Sequence, residues 1–231
     1  MLLLFDIDGT LLLRAFVEHR QALAEAVHEV WGATDPGPSA VPAAGRTDGE
    51  LAREICLLAG VSATDIDAGR TRFRIACAEA YARLCPPDLR PQVAPGVTDA
   101  LTAFAARPGV ILALVTGNLE AIARLKLHRS GLDGFFAPGQ GAFGSDADDR
   151  TELPAIARRR AAVDGDAPYP RRLTIVIGDT PNDIACARAD GVRCVAVATG
   201  PYGPDDLRGA DAVVRSAADL PALLHERAVR R

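Results

Sequence analysis

The chain has 231 residues, 48% hydrophobic and 24% charged, and a formal net charge of -4. That balance fits a globular protein of one large domain, or a domain with a small insert, and excludes disorder as the default. The mild acidity argues against a nucleic-acid binder relying on a broad basic face, and no apolar stretch approaches the ~20 residues of a membrane span. The five cysteines (Cys56, Cys77, Cys85, Cys186, Cys194) are odd in number and never form C-x-x-C, so they read as small buried hydrophobes in a reducing compartment. "MLLLF" lacks a basic n-region and runs into acids, so the expected location is the cytoplasm.

The first element is "LLLFDIDGT" (2–10), a short apolar run ending in a glycine turn. Residues 14–90 then show no convincing strand, only helical stretches near 14–31, 48–59 and 64–85. On the first stretch Phe16, Leu23, Val27 and Val30 fall on one face. "GATDPGPSAVPAAGRTD" interrupts these stretches and "CPPDLRPQVAPG" closes them with prolines, which marks a helical insert with hinges near Leu13 and Pro91. A helix is expected at 95–107, then the strand "VILALVTGN" (110–118), helices at 119–130 and 152–162, and the strand "LTIVIGDT" (173–180). A helix at 182–190, the strand "CVAVATG" (194–200) and a weaker "ADAVV" (210–214) complete the chain, and "HERAVRR" reads as a solvated helix end.

Near-continuous Val, Ile and Leu runs alternating with helices indicate an α/β protein with a parallel sheet, whose ligands bind at the carboxyl ends of the strands. Three of the runs end in acids, Thr or Asn at that edge. Strand alternation points Asp6 and Asp8 to the same side, and Gly9 and Thr10 permit a sharp turn after them. Should Asp179 and Asp183 of "GDTPND" lie beside this pair, carboxylates at ~4 Å repel by roughly 4 kcal/mol at an effective dielectric of about 20. Such a cluster calls for a cation, and hard oxygen ligands at a phosphate site favour Mg²⁺. The Thr116 hydroxyl, the backbone N–H groups that follow it at Gly117 and beyond, and the Asn118 side chain are suited to phosphate oxygens.

The order "DIDGT", "TGN", "GDTPND" resembles the haloacid dehalogenase-like hydrolase superfamily, in its phosphoglycolate phosphatase-like branch. The resemblance covers nearly the whole chain. It implies a Rossmann-like core (1–13 and 92–231) with an inserted α-helical cap (14–91). It further implies that Asp6 is the nucleophile that takes the phosphoryl group, that Asp8 is general acid and then base, and that Thr116 binds phosphate. Asp6, Asp179, Asp183 and the backbone carbonyl of Asp8 would hold Mg²⁺. Phosphate-monoester hydrolysis can need up to ~10²¹-fold acceleration, and a covalent intermediate, a metal and an acid divide that barrier among three devices.

The chain departs from the family pattern where a lysine normally precedes a helix. Its only lysine, Lys126, lies inside the helix after "TGN" and reads as a solvated helix residue. Arg150, just before a helix, takes the phosphate-binding role as a bidentate fork, with Arg158–Arg160 in reserve as an exposed helical run. "GRTDGE" looks like the specificity segment of the cap, with Gly45 and Arg46 facing a second anionic group, although Thr47 or Asp48 would equally cap a helix. Asp183 likewise fits a helix start after Thr180 and Pro181. His19, His28, His128 and His225 show no metal-ligand spacing and read as surface or helix residues, and Trp31, Phe135 and Phe136 as core anchors.

The expected function is a Mg²⁺-dependent phosphatase acting on a small phosphorylated metabolite. Asp8 argues against a dehalogenase, and the absence of a cap lysine against a phosphonate-cleaving enzyme. A sugar phosphomutase of the β-phosphoglucomutase type keeps every core motif and remains the alternative. A phospho-regulated binding module of receiver type is the rival from another class, but it needs a late lysine and no lysine follows Lys126.

Overall fold

The apolar runs form strands covered on both faces. The computed structural model describes residues 1–162 and 167–229, and among them one six-stranded sheet carries the fold. Its strands are β1 (Leu2–Phe5), β2 (Ile111–Thr116), β3 (Ala142–Phe143), β4 (Thr174–Gly178), β5 (Arg193–Val197) and β6 (Ala212–Val214). All pair in parallel, in the order β3-β2-β1-β4-β5-β6. The helices are α1 (Val17–Trp31), α2 (Asp48–Leu58), α3 (Ala63–Leu84), α4 (Val97–Ala105), α5 (Glu120–Ser130), α6 (Leu153–Arg160), α7 (Pro181–Ala189) and α8 (Leu220–Val229).

Alternate residues of each strand feed opposite layers, as the period-two geometry requires. Leu2, Leu4, Ala113, Val115 and Val176 pack with Leu153, Ala157 and Ile184 of α6 and α7. Leu3, Phe5, Leu114 and Ile177 face Phe104, Ile122, Leu127 and Leu220 of α4, α5 and α8. The result is the expected doubly wound, Rossmann-like α/β fold with a helical cap. Strand β3, two residues long, is too short to leave a periodic signal in the sequence. No described helix is long and apolar enough to cross a membrane. All five cysteines are buried free thiols.

Between β1 and β2 the chain forms α1, α2 and α3, with α1 packed along α3 and the Trp31 ring 5.4 Å from Phe73. Thr47 and Ser62 cap α2 and α3 by accepting from the N–H groups of Glu50 and Asp65. The chain segments entering and leaving these helices pair with each other. Leu13 N–H donates to Gln92 O at 2.7 Å and Ala94 N–H to Leu11 O at 2.9 Å. Phe16 lies outside the packed face expected for it, 58% exposed, because α1 starts only at Val17, after Arg14 has turned the chain through a left-handed φ of 65°.

The arginine run is not uniformly exposed either. Arg158 is buried on α6, where Nε and Nη2 donate to the two carboxylate oxygens of Asp190 at 2.6 and 2.8 Å and Nη1 donates to Tyr169 O. The pair ties α6 to the end of α7, a long-range contact that helical periodicity cannot show. The α8 helix runs to Val229, and the "HERAVRR" side chains after His225 lie outside the described residues.

Replacing Arg158 by Met should therefore leave the Asp190 carboxylate buried with only the more exposed Arg171 beside it, at a cost of about 3 kcal/mol. Thermal unfolding should report a Tm lower by roughly 10 °C. An unchanged Tm would mean that Arg171 satisfies Asp190 alone.

Candidate active site

Strand β1 sits between β2 and β4, so the chain turns to opposite sides after leaving it, and the crevice at such a reversal is where open α/β sheets bind ligands. Asp6 and Asp8 follow β1, Thr116 ends β2, and Asp179 follows β4. The turn after β1 closes through Leu11 and Leu12 N–H groups donating to Ile7 O, with Gly9 at a φ of 85°. A Cβ on Gly9 would stand 2.1 Å from Asp179 Oδ2, so both conformation and close approach demand glycine. Thr10 Oγ1 donates to Asp179 Oδ1 at 2.9 Å and locks the two strand ends together.

Asp183 serves a helix and the site at once. Its Oδ2 accepts from Thr180 N–H at 2.9 Å and Thr180 Oγ1 at 2.7 Å, which completes the capping box of α7. Its Oδ1 accepts from Arg150 Nη2, whose nitrogen is also 3.3 Å from Asp6 Oδ2. Asp6, Asp179 and Asp183 are all buried and each offers an oxygen within 4.8 Å of the others. An ionised pair at that limit repels by roughly 3.5 kcal/mol at an effective dielectric of about 20. One guanidinium cannot neutralise three carboxylates. Burial, partly offset by Arg150, pushes Asp6 up to about 6, and burial with the charges of Asp183 and Asp6 pushes Asp179 up to about 8. The donor set is hard, buried and short of positive charge, and so able to chelate a divalent cation.

A second cluster surrounds Asp8. The lysine expected in solvent is 0% exposed: Lys126 Nζ donates to Asp8 Oδ2 and Oδ1 at 2.6 and 2.8 Å and to Asn118 Oδ1 at 2.7 Å. It also lies 3.1 Å from Nδ1 of His19, itself buried rather than on the surface. Asn118 Nδ2 donates to Asp8 Oδ2 at 2.9 Å and to Thr116 Oγ1 at 3.2 Å. Burial alone would raise the Asp8 pKa, but the Lys126 charge and the bonds from Lys126 and Asn118 outweigh it and hold the carboxyl below its ordinary value.

His19 and Lys126 were legible in principle. Each interrupts an apolar stripe: His19 with Ala22, Leu23, Ala26 and Val27 on α1, and Lys126 with Ile122, Ala123, Leu127 and Ser130 on α5. A charged residue on a buried helix face needs a partner.

The segment ahead of α2 lies against the crevice through its backbone. Asp48 N–H donates to Gly117 O at 2.9 Å, Asp48 Oδ2 accepts from Leu119 N–H at 2.7 Å, and Asn182 Nδ2 donates to Ala44 O at 3.1 Å. Cβ atoms on Gly45 and Gly117 would stand 2.3 Å from Thr180 Oγ1 and 2.0 Å from Arg46 O. The Arg46 guanidinium, just ahead of α2, pairs with Glu50 at 2.7 Å and Glu54 at 2.5 Å of that helix.

Residues 3–188 match the family model of haloacid dehalogenase-like hydrolases. The chain belongs to that family. As a haloacid dehalogenase-like hydrolase, it is an enzyme. It is 30% identical over 203 residues to a phosphoglycolate phosphatase of Rhodospirillum rubrum, covering 85% of this chain and 79% of that one, which agrees with the expected branch. Its fold is that of CbbY from Rhodobacter sphaeroides, solved with phosphate, at a TM-score of 0.67, 20% identity and 95% coverage of each chain. It is similar in fold to a Bacteroides vulgatus protein assigned as a β-phosphoglucomutase, at a TM-score of 0.66, 23% identity and coverage of 97% and 87%.

Asp6 and Asp179 hold their protons more tightly in the folded chain than in the unfolded one. Without a cation this stabilisation is present in acid and lost as pH rises through about 6 and about 8. In EDTA, Tm should decline between about pH 5 and about pH 8, and less so in Asp179→Asn. A divalent cation should raise Tm more at the upper end. Identical profiles for wild type and Asp179→Asn would refute this charge assignment.

Proposed function

We propose that the protein is a Mg²⁺-dependent phosphatase that hydrolyses a small phosphorylated metabolite through an aspartyl-phosphate on Asp6. The observation that carries this reading is the convergence of Asp6, Asp179, Asp183 and Arg150 at one strand edge, with Asp8 beside them under a different charge partner. In the first step an Asp6 oxygen attacks phosphorus, the bond to the leaving oxygen breaks, and Asp8, which Lys126 and Asn118 hold below its ordinary pKa and which therefore first takes up a proton from solvent, passes that proton to the leaving oxygen. In the second step Asp8 accepts a proton from water as the water oxygen attacks phosphorus, and the Asp6 carboxylate departs.

Asp6, Asp179, Asp183 and the Asp8 carbonyl would hold Mg²⁺, which when bound neutralises carboxylate and phosphoryl charge. Arg150 contributes a buried, permanently charged donor beside Asp6 and serves as the phosphate-binding cation, with Thr116 and the Gly117–Asn118 backbone as further phosphate donors. The Asn118 side chain is engaged by Asp8, Thr116 and Lys126, so it supports the acid rather than the phosphate.

Residues 14–91 act in this reading as a cap over a core of 1–13 and 92–231, swinging on the paired linkers at 11–13 and 92–94. Gly45 and Arg46 lie at the face where the substrate's leaving group would meet the cap. The Arg46 backbone approaches Gly117, whereas its guanidinium must leave Glu50 and Glu54 to reach an anionic substrate group.

The test is phosphate release from a panel including phosphoglycolate and hexose phosphates, with Mg²⁺ and with EDTA, while following sugar-phosphate isomers. Mg²⁺-dependent release favouring one member is expected; isomer formation without release would point to the phosphomutase. Asp6→Asn should abolish turnover with the fold intact, and Asp8→Asn should lower it about 100-fold or more. Near-normal rates in Asp6→Asn would remove Asp6 from its role.

A further inference from the structure

We propose that the loop after β5 forms a wall of the cation site, with Thr199 and Gly200 as positioning residues that set the carboxylate of Asp179. The inference rests on the reading of Asp6, Asp179 and Asp183 as ligands of a divalent cation.

The three carboxylates are not held alike. Arg150 touches Asp6 and Asp183, and Asp183 is fixed further by Thr180 Oγ1. Asp179 is buried beside the charges of Asp183 and Asp6, yet it makes no ion pair among the described residues. Like charges turn a short side chain away from its neighbours unless something else fixes it. The hydrogen bond it has is on Oδ1, from Thr10 Oγ1 at 2.9 Å. One such bond locates an oxygen but not the plane of the carboxylate.

Shape supplies the rest. A Cβ on Gly200 would stand 1.7 Å from Asp179 Oδ2, 2.7 Å from its Cγ and 3.1 Å from its Cβ. A Cβ on Gly9 would stand 2.1 Å from the same Oδ2. Oδ2 therefore fills space that two side chains would take, one from the turn after β1 and one from the loop after β5. The two glycines differ in what demands them. Gly9 is required by its φ of 85° as well as by this contact, whereas Gly200 lies outside the left-handed region and is barred from a side chain by Asp179.

Thr199 closes the cradle. Its Oγ1 donates to Gly9 O at 2.7 Å, from 190 residues further along the chain. That carbonyl belongs to the peptide joining Gly9 to Thr10, so the bond fixes the residue that presents its hydroxyl to Asp179. A ring of contacts thus runs from Thr199 through Gly9 and Thr10 to Asp179 and back through Gly200. Strand pairing anchors it, because β5 lies beside β4, which ends at Asp179, and Ala198 N–H donates to Val214 O at 2.8 Å. Groups that orient metal ligands from behind typically control affinity by about 10- to 100-fold. Thr199 and Gly200 stand in that position without carrying charge.

The test is cation binding by the folded protein, read by EPR as loss of the free Mn²⁺ signal, with Tm in EDTA as the measure of folding. Gly200→Ala should weaken Mn²⁺ binding about 100-fold, because the Asp179 carboxylate is what gives way to the added methyl. Thr199→Val removes the donated bond with little change of volume and should weaken binding about 10-fold, while Thr199→Ser should keep wild-type affinity. The Thr199 pair keeps the proposal testable if Gly200→Ala unfolds. Gly203→Ala, in the same loop, would meet Asp206 at an ordinary 3.6 Å and should bind as wild type does. Wild-type affinity in both Gly200→Ala and Thr199→Val, or equal losses in Gly200→Ala and Gly203→Ala, would overturn the role of this loop while leaving the cation site in place. A wild-type protein that binds no Mn²⁺ would overturn the cation site and this inference together.

Discussion

The burial of carboxylates at the carboxyl edge of the parallel sheet governs the rest of this structure. Four aspartates enter the crevice on two chain segments, after β1 and after β4, and each must be compensated in a medium that strengthens repulsion. The protein divides the problem in two. Asp6, Asp179 and Asp183 share Arg150 and remain short of positive charge. Asp8 has Lys126 to itself, with Asn118 supporting both. The first group is left in need of a cation, and the second is not. Two carboxylates two residues apart thereby acquire different chemistry from different neighbours.

Local structure is used twice throughout the site. The capping box of α7 spends one oxygen of Asp183 on the helix and leaves the other for Arg150. Thr47 caps α2 through Glu50 N–H while its own hydroxyl donates to Asp148 O across the crevice at 2.6 Å. Asp48, in the first turn of the same helix, accepts from Leu119 N–H and meets His19. Elements that begin at the crevice are therefore oriented by the same bonds that build it.

Much of this organisation was legible in the residues. Continuous Val, Ile and Leu runs marked strands buried on two faces, and the acids and threonines ending them marked the carboxyl edge. Arg150 beside Asp6 was accessible from its position ahead of a helix between two motifs. The misread residues share a feature: Lys126, His19 and Arg158 are polar side chains on buried helix faces, where composition suggests solvent and only a distant partner makes burial tolerable. Phe16 is the converse, an apolar residue left outside because the helix it was expected to join starts after it.

By itself the sequence determined the alternation of strands and helices, the tight glycine turn after β1 and the set of acids at the strand ends, because periodicity and turn chemistry act over a few neighbouring residues. Tertiary structure alone decided the partners: Lys126 with Asp8 rather than with water, and Arg158 with Asp190. The reason is physical. Whether a charge is tolerated in a protein depends on which opposite charge stands within a few ångströms, and here those neighbours come from separate segments, 32 residues apart for Arg158 and Asp190 and 118 apart for Asp8 and Lys126.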